Sequence, residues 1–255
     1  MFSFLINAKN NFIKILKEAG IFSYIYGQFK TFKQIFYAYY MIFKLKRLKL
    51  NIRIESLLEF ASKSNEGIII PAQIYSEIFS LLKLLEERRP KYILEIGTAK
   101  GGTLFLFSRV ISADAIIISV DLPGGPYLGG YPKWKFPMYK NFALKSQCIH
   151  LIRGDSHDQN SLKKVRAILK ENKLDFLYID GDHTYKGVRM DFQMYSPLVK
   201  EGGIIAFHDI VKVSPEKFVE VNKFWKEIKN KYKYKEIVDN WEQGECGIGY
   251  IYYLK

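Results

Sequence analysis

Between residues 93 and 209 short apolar runs alternate with helical stretches, and each run closes on a polar or acidic residue. The runs are 93–96, 115–121, 148–155, 174–180 and 203–209, rich in Ile, Val and Leu. This alternation predicts an α/β fold with a doubly wound parallel sheet, in which ligands bind beyond the carboxyl ends of the strands. Glu95, Asp121, Asp155, Asp180 and Asp209 all fall at those ends. A single Asp at a strand end is equally a good helix N-cap. Repetition at successive strand ends points instead to a shared site.

The first run continues as Glu95-Ile-Gly97-Thr98-Ala-Lys-Gly101-Gly102. Glycines there let the backbone turn tightly and approach a ligand that a Cβ would block, and the helical stretch 103–111 that follows offers free N–H groups at its start. A dinucleotide fingerprint reads G-x-G-x-x-G, whereas three residues separate Gly97 from Gly101. The pattern Glu95-x-Gly97-x-x-x-Gly101 instead resembles the first motif of class I S-adenosylmethionine-dependent methyltransferases. That resemblance implies that Glu95, Gly97, Thr98 and Gly101 cradle the methionine moiety, with the acid near its ammonium. Asp121 would then accept from the ribose hydroxyls, and Asp155 and Ser156 would meet the adenine.

The segment Asp180-Gly-Asp-His183-Thr-Tyr185 and the later Gly202-Gly-Ile-Ile-Ala-Phe-His208-Asp209 carry a narrower resemblance. Both elements are similar to those of methyltransferases related to cephalosporin-hydroxylase-like and macrolide-sugar O-methyltransferase proteins, over residues 66–255. The resemblance implies a Rossmann-like sheet of seven strands, the last antiparallel, with strand-like runs at 234–238 and 247–254 closing it. Between strands, it leaves a helix ending at Glu201-Gly202 and another around Phe218–Ile228.

Methyl transfer from a sulfonium to a hydroxyl needs in-line approach and removal of the hydroxyl proton, by a positioned base or a metal. His183 suits the base, since an imidazole changes charge near neutral pH, and the resemblance places the base of metal-dependent O-methyltransferases at this position. The other reading of His183 is a cap for the helix that starts near Thr184. Asp180 serves both cofactor and catalysis in this view, and Asp180, His208 and Asp209 sit on neighbouring strand ends where one divalent cation, Mg²⁺ or Mn²⁺, can be shared. Imidazole suits Mn²⁺ better than Mg²⁺, which prefers oxygen. A metal-free site is the rival, with His208 and Asp209 holding the acceptor hydroxyl or orienting His183.

Residues 122–137 hold four glycines and four prolines, too many for a plain connector, and Tyr127, Tyr131, Trp134, Lys133 and Lys135 suggest a lid that stacks on a sugar or pairs with an anion. A mobile loop without a substrate role is the alternative. The cysteines, Cys148 and Cys246, lack C-x-x-C spacing and fall in apparent strands, which predicts buried free thiols and a reducing, cytoplasmic compartment.

The net charge of +13 is uneven, because residues 1–50 hold nine Lys and Arg against Glu18 alone. Residues 1–65 are expected to form a basic helical extension and 66–255 the methyltransferase domain. Within 29–48, Phe29, Phe32, Phe36, Tyr39, Tyr40 and Phe43 recur at helical spacing. The longest uncharged run there is half of the roughly 20 residues a span needs, which argues against a transmembrane helix. Three readings stand for the extension: packing on the domain or across a homo-oligomer, peripheral contact with the inner face of an anionic membrane, and nucleic-acid binding, which ranks last and is not expected because no recognised module accompanies the charge. The expected function is S-adenosylmethionine-dependent O-methylation of a small polar acceptor, a sugar, glycoconjugate or lipid-linked sugar. The alternatives are an NAD-dependent oxidoreductase and a non-catalytic membrane-associated module that binds a nucleotide-like ligand.

Overall fold

The computed structural model describes residues 21–49, 52–125, 130–214 and 218–254. Seven strands form one sheet: β1 (Tyr92–Ile96), β2 (Ile116–Asp121), β3 (Cys148–Arg153), β4 (Leu174–Ile179), β5 (Val199–His208), β6 (Lys233–Ile237) and β7 (Ile248–Tyr252), in the order β3-β2-β1-β4-β5-β7-β6. The first five pair in parallel, and β7 runs antiparallel to both β5 and β6. The helices are α1 (Ile21–Lys46), α2 (Ile54–Ser62), α3 (Tyr75–Arg88), α4 (Gly102–Val110), α5 (Phe136–Lys140), α6 (Gln159–Leu169), α7 (Tyr185–Tyr195) and α8 (Val221–Ile228). This is the Rossmann-like sheet expected from the alternating runs, with its last strand reversed.

The central strands are largely apolar because both faces of the sheet are covered there, whereas the edge strand β6 is charged and exposed. Successive side chains point to opposite faces, so Ile93, Ile117, Phe176 and Tyr178 join one core with α2, α3 and α4, while Leu94, Ile118, Leu177 and Ile179 join the other with α6, α7 and α8. Ala38, Met41 and Leu45 of α1 enter the first of these cores together with Leu57, Leu58 and Ala61 of α2.

Four local expectations change. The helix before the fifth strand stops at Tyr195, since Pro197 cannot continue it, and Val199–Gly202 already belongs to β5. A shift of register between Leu174 and Phe176 absorbs the extra residues. Cys148 is exposed because it opens the edge strand β3, and Cys246 lies in the loop before β7; both are free thiols. In the segment after β2, Tyr131 is buried against Tyr139 and Phe136, Trp134 packs on the same core, and Lys135 is buried. These side chains are core rather than a sugar platform; Tyr127 lies outside the described residues.

The fourth concerns α1, for which packing on the domain is one of three readings. Its aromatic stripe points to solvent, with Phe29, Phe32, Phe36 and Tyr39 each at least 60% exposed. The helix packs instead through the smaller Ala38, Met41 and Leu45 on the opposite side.

The loop between β6 and β7 is pinned by Glu77 of α3, which is fully buried. Its Oε2 accepts from the Gly247 amide at 2.9 Å, and its Oε1 accepts from Gln243 Nε2 at 2.7 Å and from the Asp239 amide at 3.2 Å. Replacing Glu77 with Ala strands these donors in the interior, and chemical denaturation is expected to show a loss of about 3 kcal/mol.

Candidate active site

Gly97 turns the chain out of β1 with φ +87°, and its amide donates to the Val120 carbonyl at 2.9 Å. A Cβ at this position would stand 1.9 Å from the Asp180 carbonyl oxygen, so the ends of β1 and β4 meet only because residue 97 is glycine. The amides of Thr98 and Ala99 then donate to Asp121 Oδ2 at 3.2 and 2.7 Å. Thr98 Oγ1 donates to Glu95 Oε2 at 2.6 Å. Gly101, with φ +84°, caps α4, and a Cβ there would strike the ring of Tyr139, whose hydroxyl donates to the Ala99 carbonyl at 2.8 Å.

A cavity of about 670 Å³ opens above this loop. It brings together Gly97, Thr98, Asp121, Asp155, Ser156, Asp180, His183, His208 and Asp209, contributed by the ends of all five parallel strands. Glu95 and Gly101 do not line it; they lie beneath the loop and set its shape. Burial pushes the Glu95 carboxyl up to about 8 against the hydrogen bonds from Thr103 and Thr98, and it pushes Asp121 up to about 6 against the loop amides.

Opposite the loop stands a compact acid–imidazole cluster. His183 Nδ1 is 2.6 Å from Asp209 Oδ2, while Asp209 Oδ1 accepts from the Cys246 amide at 3.2 Å. His208 Nδ1 lies 3.1 Å from Asp180 Oδ1 and 3.3 Å from Asp209 Oδ1, and Asp180 Oδ2 accepts from Gln73 Nε2 at 3.0 Å. Asp209 occupies the left-handed region at φ +62°, a conformation Asp tolerates better than most residues. Burial disfavours an imidazolium at His183 and His208, yet the facing carboxylates outweigh it and both shift upward. Asp209, despite burial, is held well below the usual carboxylate range by the two imidazoles.

The capping alternative for His183 fails, because Thr184 is the cap of α7: its Oγ1 accepts from the Gly187 amide at 3.0 Å. His183 is left to line the cavity, with its Nδ1 against Asp209 Oδ2. Among the described residues, two sets of donors converge closely enough for a cation, Asp180 with His183 and Asp209, and His208 with Asp209 and Cys246.

Sequence reading missed four contributors. Gln73 and Glu77 act across more than a hundred residues and belong to no motif. Cys246 enters through the loop that Glu77 holds. His157, two residues beyond Asp155, lines the cavity and sits with Nε2 3.3 Å from Oδ1 of the fully buried Asp191.

Residues 94–210 match a family model described as a methyltransferase domain. Residues 94–210 thus resemble a methyltransferase domain over a little under half of the chain. The match runs from β1 to just past Asp209 and so contains both the glycine loop and the acid–imidazole cluster. The chain is 30% identical over 138 residues to an uncharacterized protein of Acanthamoeba polyphaga mimivirus, covering 51% of this chain and 57% of that protein. It is 25% identical over 130 residues to an uncharacterized protein of Sinorhizobium fredii, covering 49% and 14% respectively. The chain thus matches little more than half the length of one relative and a small part of the other. Among solved structures, the O-methyltransferase from Bacillus cereus in complex with SAH superimposes with a TM-score of 0.55 at 18% identity, over 78% of this chain and 91% of that one. TomG, the O-methyltransferase from Streptomyces achromogenes involved in tomaymycin synthesis, in complex with SAM, gives 0.53 at 14% identity, over 77% and 89%. At these identities the likeness establishes the fold alone.

Two outcomes test the geometry. Gly97→Ala forces a Cβ into the Asp180 carbonyl, and the protein is expected to lose several degrees in Tm or to fail to fold. The hydrogen bond to Asp191 raises His157 to about 9 against burial. Its folded pKa exceeds the unfolded value of about 6.5, so its contribution is complete below that pH and disappears as pH rises through 9. A scan of Tm against pH should show this decline, and His157→Gln should remove it.

Proposed function

We propose that the chain is an S-adenosylmethionine-dependent O-methyltransferase acting on a hydroxyl of a small polar acceptor, a sugar or glycoconjugate. The observation that carries this reading is the His183–Asp209 pair at 2.6 Å, facing the glycine loop across one cavity. When bound, S-adenosylmethionine supplies an electrophilic methyl group on its sulfonium. The loop 97–102 and the α4 N-terminus hold its methionine end, Asp121 accepts from the ribose, and Asp155 and Ser156 face the adenine.

His183 Nε2 takes the acceptor proton, and Asp209 stabilises the imidazolium that forms, much as an acid orients the base in other proton-transfer dyads. Asp180 and Asp209 accept hydrogen bonds from a polyhydroxylated acceptor, which is why a sugar suits this cavity better than an apolar ring. The donor set also fits a divalent cation. The ring nitrogens of His208 are buried without a hydrogen bond although Asp180 and Asp209 stand beside them. Asp180 and Asp209, which share one convergent donor set, would hold the ion with His208 beside both, and its charge would favour the alkoxide. An imidazole among the donors favours Mn²⁺ over Mg²⁺. A lipid-linked sugar, reached by peripheral contact with a membrane, completes the proposal; no described helix is long and apolar enough to cross one.

His183→Ala is expected to lower transfer by about 10²–10⁴-fold while leaving S-adenosylmethionine affinity within about twofold. Unchanged turnover would remove His183 as the base. Chelation should depress the rate of the wild type, with Mn²⁺ restoring it more fully than Mg²⁺; full activity in chelator would leave the metal-free arrangement.

A further inference from the structure

The outward face of α1 is apolar, aromatic and cationic. Phe29 is 66%, Phe32 69%, Phe36 60%, Tyr39 61% and Phe43 48% exposed, while Ala38, Met41 and Leu45 on the opposite side are buried. Monomeric soluble surfaces rarely keep so many large rings together in water. The described helix contains Lys30, Lys33, Lys44 and Lys46 and no acid, and Arg47 follows directly, its guanidinium carbon 3.8 Å from the ring centroid of Phe43.

We propose that this face of α1 is a docking surface for an anionic lipid bilayer, and that docking presents the methyltransferase cavity to an acceptor carried in the membrane. Aromatic rings flanked by Lys and Arg are the composition that lies in the headgroup region, and the charge selects anionic lipid. A second copy of the chain is the wrong occupant, because two such faces would bring cations together with no acid between them.

The position of α1 connects the surface to the cavity. Lys33 Nζ is 2.7 Å from Glu66 Oε1. Beside Glu66, the space above Gly67 is bounded by Ile70 and the Lys100 ammonium, and both of these residues line the cavity. Ile70 is 37% exposed, so the rim next to α1 is apolar where a lipid tail would pass. Bilayer docking stands independently of the reaction; the lipid-borne acceptor rests on the methyltransferase reading.

The test is co-flotation of the full chain with phosphatidylcholine vesicles, with and without about 30% phosphatidylglycerol, beside calorimetric titration with S-adenosylmethionine. The wild type is expected to float with anionic vesicles, far less with neutral ones, and to be released as salt rises. Combined Phe32→Ser, Phe36→Ser and Phe43→Ser should weaken flotation at least about tenfold, and combined Lys30→Glu and Lys46→Glu should remove the lipid-charge preference. Both variants should keep the wild-type Tm and cofactor affinity, since none of these residues enters the core. Docking is overturned if the wild type stays in solution with anionic vesicles, if the serine variant floats equally well, or if the wild type sediments as a dimer that the serine variant dissociates. Absent cofactor binding with intact flotation would sink the reaction and leave the docking surface standing.

Discussion

The contact between residue 97 and the carbonyl of Asp180 is the constraint on which the carboxyl edge of the sheet depends. The ladder runs on past the strands there, with Asp180 donating its amide to Ile96 and Gly97 donating to Val120, both at 2.9 Å. Three strand ends are thereby locked side by side. Glycine alone allows it, and the loop that follows is forced up and over the sheet, where Asp121 and Tyr139 catch its amides and its carbonyl. The same lock fixes Asp180 beside His208, so the glycine loop and the acid–imidazole cluster are positioned by one backbone feature.

Asp209 organises the second half of the site. One oxygen meets His183 and the other meets the Cys246 amide and approaches His208. Two acids against two imidazoles is a nearly balanced charge set, which makes burial of the group tolerable. Its support comes from far away in sequence, through Glu77 and the loop before β7, so His183 is oriented by packing of α3 against the C-terminal strands.

Much of this was legible in the sequence. Apolar runs ending in acids mark the five parallel strands because a sheet covered on both faces needs them, and Gly97 and Gly101 stand out because their turns leave no room for a Cβ beside Asp180 and Tyr139. Nine of the eleven residues singled out line one cavity, and the other two, Glu95 and Gly101, brace its floor. What was hidden depends on long-range pairing or on a choice between equivalent patterns. Nothing local in Gln73 or Glu77 announces a partner in the last third of the chain. On α1 the aromatic stripe and the Ala38–Met41–Leu45 stripe have the same period. The smaller side chains let the helix approach the body closely, and periodicity alone does not show which stripe turns inward. Tyr131 was misplaced for a related reason, since a Gly- and Pro-rich context signals exposure while its ring fills the core against Tyr139.

Calorimetric titration of the full chain with S-adenosylmethionine, using NADH as the comparison ligand, tests the central claim most directly. The account expects stoichiometric binding of the sulfonium cofactor with no detectable NADH binding, retained in His183→Ala because that side chain acts on the acceptor. Absence of S-adenosylmethionine binding by the folded chain, or a preference for NADH, would contradict it.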